Sequence, residues 1–331
     1  MLDLKLPGFG SPTGAASKTK PASETGLYDV IVIGGGPAGM TAAVYCCRKG
    51  LNTLLVAEDI GGQMSWTSGI ENYMGFQYIT GPELAAKFDV QIRSFPLSLD
   101  LPARAARLER SAPDFLLVTE AGRHYQGRTV VVASGRSPRR LGIPGELEFT
   151  GKGVSYCATC DAPLYAGQDA AVVGGGNSAL TSVLDLAQVA RTVYSCHRRT
   201  SYRGDSALIA RVESAPNVRR LLGFQPAAIL GNDRVTGIEV RNLENGATER
   251  LAVSGVFVEI GSEPNSGFAV RLLELNARRE IPVNCRTETS VPGLFAAGDV
   301  TDVFEKQIVI AAGDGAKAAL AAHRYLLSRP K

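Results

Sequence analysis

The chain has 331 residues, enough for about two domains that each bury a core of their own, which excludes small disulfide-stapled folds and coiled coils. Lys and Arg total 35 against 32 Asp and Glu, and a net charge of +3 is too balanced for a surface that holds nucleic acid or an anionic membrane by charge alone. Glycine is the deviation: there are 37, where average usage of about 7% gives roughly 23, and they gather in short runs, as in turns where backbone approaches a ligand.

Residues 1–26 are rich in Pro, Gly, Ser, Thr and Ala and lack the apolar core of about 7 to 15 residues that a secretory signal needs, so a flexible tail is expected. The apolar runs, such as those at residues 30–33 and 130–133, are short and far below the roughly 18 residues of a spanning helix. Six cysteines, two of them adjacent at Cys46 and Cys47, fit a reducing, cytoplasmic compartment rather than a disulfide scaffold.

Residues 29–40 (DVIVIGGGPAGM) and 169–180 (DAAVVGGGNSAL) align without gaps at an offset of 140. Each copy reads as a β-branched strand, a Gly-x-Gly-x-x-Gly/Ala turn, a helix of about a dozen residues and a second strand, expected at 53–57 and 192–196. The turn residues are Gly34, Gly36 and Gly39 in the first copy and Gly174, Gly176 and Ala179 in the second. This is the βαβ dinucleotide fingerprint: the first glycine makes the turn, the second admits a pyrophosphate, and the third lets helix pack on strand. The end of the second strand reads the adenine ribose. There Glu58 predicts a free 2′-hydroxyl, as in FAD or NAD, whereas His197, Arg198, Arg199 and Arg203 predict a 2′-phosphate, as in NADP.

A Cys157-x-x-Cys160 pair precedes the second fingerprint. A structural zinc site would need a second pair, and Cys196 and Cys285 stand alone, so no metal is expected. As a redox pair, one thiolate attacks a substrate disulfide and the other resolves the mixed disulfide. Asp161 could exchange a proton with a thiol, or cap the helix that opens there. Cys46 and Cys47 read as packing residues.

The motifs GGGPAG, GGQ (61–63), IENYMGF (70–76), GVSYCATCD (153–161), GGGNSA, HRRxxxR, GLFAAGDV (293–300) and KQIVIAAGDGAKAAL (306–320) occur in this order. In them the chain resembles the low-molecular-weight thioredoxin reductases, and the last two also resemble the flavin part of alkyl hydroperoxide reductase flavoproteins. The resemblance covers residues 27–328 and implies an α/β fold of two Rossmann-like, three-layer dinucleotide-binding domains, the second inserted in the first. An FAD-binding domain would comprise residues 27–140 and 266–331. An NADP(H)-binding domain carrying the cysteine pair would comprise 141–265, with crossing linkers at 136–145 and 261–267 acting as a hinge. Gln63 and Asn72 would lie close to FAD, Asp299 would bond its ribitol side, and the backbone of Gln307 and Ile308 would face the pyrimidine end of the flavin. Electrons would run from NADPH through FAD and the Cys157/Cys160 disulfide to a thioredoxin-like protein, in a homodimer.

One departure matters. Where the resemblance implies an acidic pair after GGGNSA, the residues are Leu180, Thr181 and Ser182, with Thr181 at the position that meets the nicotinamide. This keeps open an NADPH-independent enzyme that exchanges electrons between a dithiol and flavin, with ferredoxin or a second FAD serving the nicotinamide region. A non-catalytic NADP-binding redox sensor is a third reading. Smaller departures are Arg136, where alanine is common, and Tyr156, where a small residue is usual; Tyr156 could stack on a flavin or pack in the core.

Overall fold

A computed structural model of the chain describes residues 17–329, so the first 16 residues of the expected tail lie outside it. The remainder of that segment is not free. Strand β1 (Lys20–Pro21) adds to a sheet edge, and the N–H groups of Lys18, Lys20 and Ala22 donate to the carbonyls of Arg93, Leu97 and Leu99. Backbone pairing holds it with its side chains exposed, and apolar patterning carries no sign of such a strand.

The first fingerprint is β2 (Leu27–Ile33), α1 (Pro37–Arg48) and β3 (Thr53–Val56). Helix α2 (Gly81–Arg93) follows, opened by a capping box between Thr80 and Glu83. Strands β4 (Ser98–Asp100), β5 (Ala105–Ser111), β6 (Asp114–Thr119) and β7 (His124–Val132) complete a sheet ordered β1-β4-β3-β2-β7-β6-β5. The continuous apolar run of β2 places it centrally, between parallel neighbours β3 and β7 and buried on both faces. Val30 and Val32 pack with Met40 of α1 and Leu84 of α2, whereas Ile31 and Ile33 pack with Phe115 and Leu117 of β6.

Strand β8 (Arg136–Pro138) leaves this sheet. A second one follows from β9 (Val154–Ser155), a single helical turn α3 (Ala158–Asp161), β10 (Asp169–Val173), α4 (Asn177–Ala187), β11 (Thr192–His197), α5 (Ser206–Ser214) and β12 (Val218–Leu222). An antiparallel meander of β13 (Phe224–Gly231), β14 (Val235–Asn242) and β15 (Thr248–Leu251) precedes β16 (Gly255–Val258). The second sheet is parallel, ordered β12-β11-β10-β16-β9, with α4 on one face and the meander on the other. Strand β17 (Ser262–Pro264) returns antiparallel to β8, β18 (Leu294–Ala296) joins β7, and α6 (Ile308–Ser328) packs on α1, where Gly315 lies too close to the Ala38 backbone for any Cβ. Each fingerprint thus sits in a helix-sheet-strand sandwich, the three-layer Rossmann-like α/β class.

Candidate active site: a disulfide at a cavity shared with a glycine turn

In the first turn the glycines have different tasks. Gly34, at φ +119°, donates its N–H to the Val56 carbonyl at 2.8 Å, and Cβ atoms at Gly34 and Gly39 would run into the carbonyls of Ala133 and Gly34. Gly36 is the N-cap of α1 and faces open space. The first turn of α1 has no side-chain cap and no acidic residue, so its N–H groups remain available to an anion. Gly35, outside the x-spaced pattern, is equally constrained, because a Cβ there would meet the Asp59 carbonyl.

The turn opens on a cavity of about 610 Å³, within the size range of ligand pockets. Glu58, Gln63, Asp299, Gln307 and Ile308 line it, as do Cys157, Cys160 and Asp161. Glu58 accepts from Arg104 Nε at 2.7 Å, an exposed pair that orients the carboxylate. Gln63 donates to the Arg136 carbonyl at 2.6 Å. Asn72 does not line the cavity. It donates to Gln307 Oε1 at 3.1 Å and so holds the N-cap of α6, another helix start without a side-chain cap or acidic first turn. Burial raises the pKa of Asp299, opposed by Lys306 and Arg136.

Cys157 and Cys160 form a disulfide with Cα atoms 5.3 Å apart. Cys157 is the N-cap of α3 and donates its N–H to Ser155 Oγ at 3.1 Å. Asp161 ends that turn rather than opening it, and its side chain caps no helix, which corrects the capping expectation. It is instead 8% exposed with Oδ1 unpartnered, and burial, opposed by Ser155, pushes its pKa up to about 6. Tyr156 lines the cavity too, but its hydroxyl donates to Glu146 Oε1 at 3.0 Å, and burial pushes the phenol up to about 12. Glu146 is fully buried and also accepts the N–H groups of Leu141 and Gly142, at 2.9 and 2.8 Å. Nothing local marks Glu146 as inward-facing. Cys46 is buried and Cys47 half-buried, as packing residues are.

The second turn repeats the first. Gly174 donates to the Cys196 carbonyl at 3.0 Å and would place a Cβ against Ala179, while Gly176 is the N-cap of α4 with open space before it. A second cavity, of about 530 Å³, is lined by Gly174, Gly176, His197, Arg198, Arg203 and Glu259, but not by Arg199. Arg198, Arg199 and Arg203 are exposed and form no salt bridge among the described residues. His197 is also packed against its neighbours. Its ring fills the space over Gly175, stacks on Tyr202 at 6.0 Å and is held toward the neutral form by burial and by the three arginines. Thr181 is exposed on α4 and does not line this cavity.

The family model described as pyridine nucleotide-disulphide oxidoreductase matches residues 28–318. The chain belongs to that family. In Staphylococcus aureus (strain MSSA476), one subunit of alkyl hydroperoxide reductase is 39% identical over 300 residues, 91% of this chain and 59% of that protein. The chain therefore spans about three fifths of the length of such curated relatives. Thioredoxin reductase from Streptococcus pyogenes MGAS5005 matches in structure with a TM-score of 0.87 at 37% identity, covering 92% of this chain and 99% of that one. Lactococcus lactis thioredoxin reductase in its FR conformation matches with a TM-score of 0.63 at 33% identity, covering 91% and 100%. The molecule is an oxidoreductase of the flavoprotein class with the thioredoxin reductase fold and a cysteine pair that forms a disulfide. Among the described residues no helix is long and apolar enough to cross a membrane.

Proposed function

We propose that the chain couples NADPH oxidation to reduction of a thioredoxin-like protein disulfide, with Cys157 and Cys160 as the exchanging pair and FAD, held in the larger cavity, supplying the two-electron relay. The observation that carries this reading is that the cysteine pair and the first fingerprint turn line one cavity. The residues present suit FAD. The uncapped start of α1 behind Gly36 suits a pyrophosphate, Glu58 suits ribose hydroxyls, Asp299 suits the ribitol side, and the N–H groups at Gln307 and Ile308 suit the pyrimidine end. Residues 27–140 and 266–331 would form this module.

Residues 141–265 would form the NADP(H) module. Gly174, Gly176 and Ala179 shape its turn, and the unpaired Arg198 and Arg203 suit a 2′-phosphate, with Arg199 flanking them. At the disulfide, one thiolate attacks the partner's sulfur and the other resolves the mixed disulfide. Two electrons and two protons pass to the partner, and the buried Asp161 exchanges a proton with the pair. Strands β8 and β17, which pair antiparallel, would carry both crossings between the modules. Two relatives of similar identity and coverage differ in TM-score, 0.87 against 0.63, as two dispositions of the same modules would produce. This supports a hinge that turns either the cysteine pair or the nucleotide cavity toward the larger cavity. A cytoplasmic homodimer belongs to the same reading, and the name of the curated relatives adds a hydroperoxide-reducing system as a second acceptor to assay.

The exposed Thr181, in place of an acid, favours one alternative: dithiol-flavin exchange without NADPH, with ferredoxin or a second FAD at the nicotinamide region. An anaerobic titration separates the two. Bleaching of one flavin per chain by stoichiometric NADPH is the expected result. Bleaching by a dithiol alone, or two flavins per chain, would replace the first reading with the second.

A further inference from the structure

Among the described residues Arg140 alone lines both cavities. Its backbone is held on either side. Just before it, the Arg139 N–H donates to the Gly261 carbonyl at 2.9 Å and the Arg139 guanidinium pairs with Glu263 at 2.8 Å. Just after it, the N–H groups of Leu141 and Gly142 donate to the buried Glu146 carboxylate. The Arg140 guanidinium itself forms no salt bridge among the described residues. The other cations lining the larger cavity are engaged: Arg104 with Glu58, Arg136 with Glu280, and Lys306 with the Thr301 carbonyl. The second sheet gives this free cation an address. Strand β10 runs between β11 and β16, so the turn at Gly174 and Gly176 stands between Arg198, past the end of β11, and Gly261, past the end of β16. A dinucleotide lying across the carboxyl ends of these strands has its adenosine half toward β11 and its other half toward β16, where Gly261 holds the segment that carries Arg140.

We propose that Arg140 is a further nucleotide-binding residue of the second cavity, and that its guanidinium takes the nicotinamide-side phosphate of a pyridine dinucleotide. The proposal rests on that cavity accepting such a nucleotide. The diphosphate is the anionic group within reach of the half that lies toward β16, and a guanidinium matches phosphate oxygens with two parallel N–H donors. Arg198 and Arg203 sit on the other half and suit the 2′-phosphate, so the arginines around the cavity divide the ligand's charges between them. Because the backbone on both sides of Arg140 is already held, placing the side chain costs little beyond its own rotamer freedom.

The test is calorimetric titration of the full, flavin-loaded chain with three probes that transfer no electrons to it: NADP+, 2′-phospho-ADP-ribose and adenosine 2′,5′-bisphosphate. All three carry the adenosine and its 2′-phosphate. The second lacks only the nicotinamide, and the third also lacks the nicotinamide-side phosphate and its ribose. Arg140→Ala weakens NADP+ and 2′-phospho-ADP-ribose alike, by about tenfold, and adenosine 2′,5′-bisphosphate by less than about threefold. Arg140→Gln keeps most of the stem and carries the same test if the alanine variant does not fold. Unchanged NADP+ affinity overturns the proposal. So does a loss confined to NADP+, which would place Arg140 on the nicotinamide ring, and so does an equal loss for all three probes, which would place it on the adenosine half. A wild-type chain that binds none of the three overturns the functional reading and this proposal together, whereas the other failures remove Arg140 alone.

Discussion

Arg136 Nη1 lies 2.7 Å from Glu280 Oε1, and the two side chains are only 14% and 8% exposed. The same guanidinium donates to Ser262 Oγ and to the Ser262 carbonyl, at 2.8 and 3.1 Å, while Asn276 donates to the other Glu280 oxygen at 2.8 Å. One residue that lines the larger cavity thus ties β8 and β17 to the 276–280 turn. Removing one partner leaves an enclosed charge unpaired, so Glu280→Ala is expected to cost about 3 kcal/mol in urea unfolding. Arg136→Ala with Glu280→Ala should cost less than the sum of the single changes; additive costs would mean that the pair is not coupled.

Asp161 yields a pH prediction in two observables. Its pKa, about 6, exceeds the ordinary aspartate value of about 3.9, so the folded state holds its proton to higher pH than the unfolded chain. The stability this confers is complete below about pH 4 and is lost as pH rises through about 6. Asp161→Asn should therefore match wild type in urea at about pH 4 and exceed it by roughly 2 kcal/mol at about pH 7.5. Thiol-disulfide exchange should instead slow by about a hundredfold in the variant, and the wild-type inflection near pH 6 should vanish. A retained inflection assigns the proton to another group.

Arg198 and Arg203 line the second cavity and Arg199 does not. Arg198→Ala with Arg203→Ala should weaken NADPH by about a hundredfold and NADH by less than about threefold in fluorescence titrations, since only the first carries the 2′-phosphate. Arg199→Ala should change either by less than about threefold. Equal losses of NADPH and NADH would remove the phosphate assignment.

Either cysteine replaced by serine leaves a single thiol that cannot close a disulfide. Cys157→Ser and Cys160→Ser should each abolish reduction of a thioredoxin-like disulfide while leaving bound flavin reducible by dithionite. Turnover retained in either variant would exclude the pair from the exchange.

The relation between residues and site is uneven. Gly34, Gly36 and Gly39, and their counterparts 140 residues on, are readable because a tight turn demands its residues locally, whatever surrounds it. The CxxC pair is readable for the same reason. His197 sits where a phosphate reader is expected, and its packing on Gly175 and Tyr202, with the burial that lowers its pKa, is visible only in the fold. Strand β1 escapes because its side chains stay exposed and its backbone alone is paired.

What the amino-acid order determined by itself is therefore the pair of glycine turns with their flanking strands and helices and the CxxC spacing, set by backbone geometry and apolar periodicity within a few dozen residues, while the order of the motifs along the chain pointed to the fold class. The tertiary structure decided which of these share a cavity, and it brought together Gln63 with Arg136, Tyr156 with Glu146, and Arg136 with Glu280. Those partnerships depend on where burial leaves a polar group in need of a counterpart. That need arises only after distant segments have packed and water has been excluded between them.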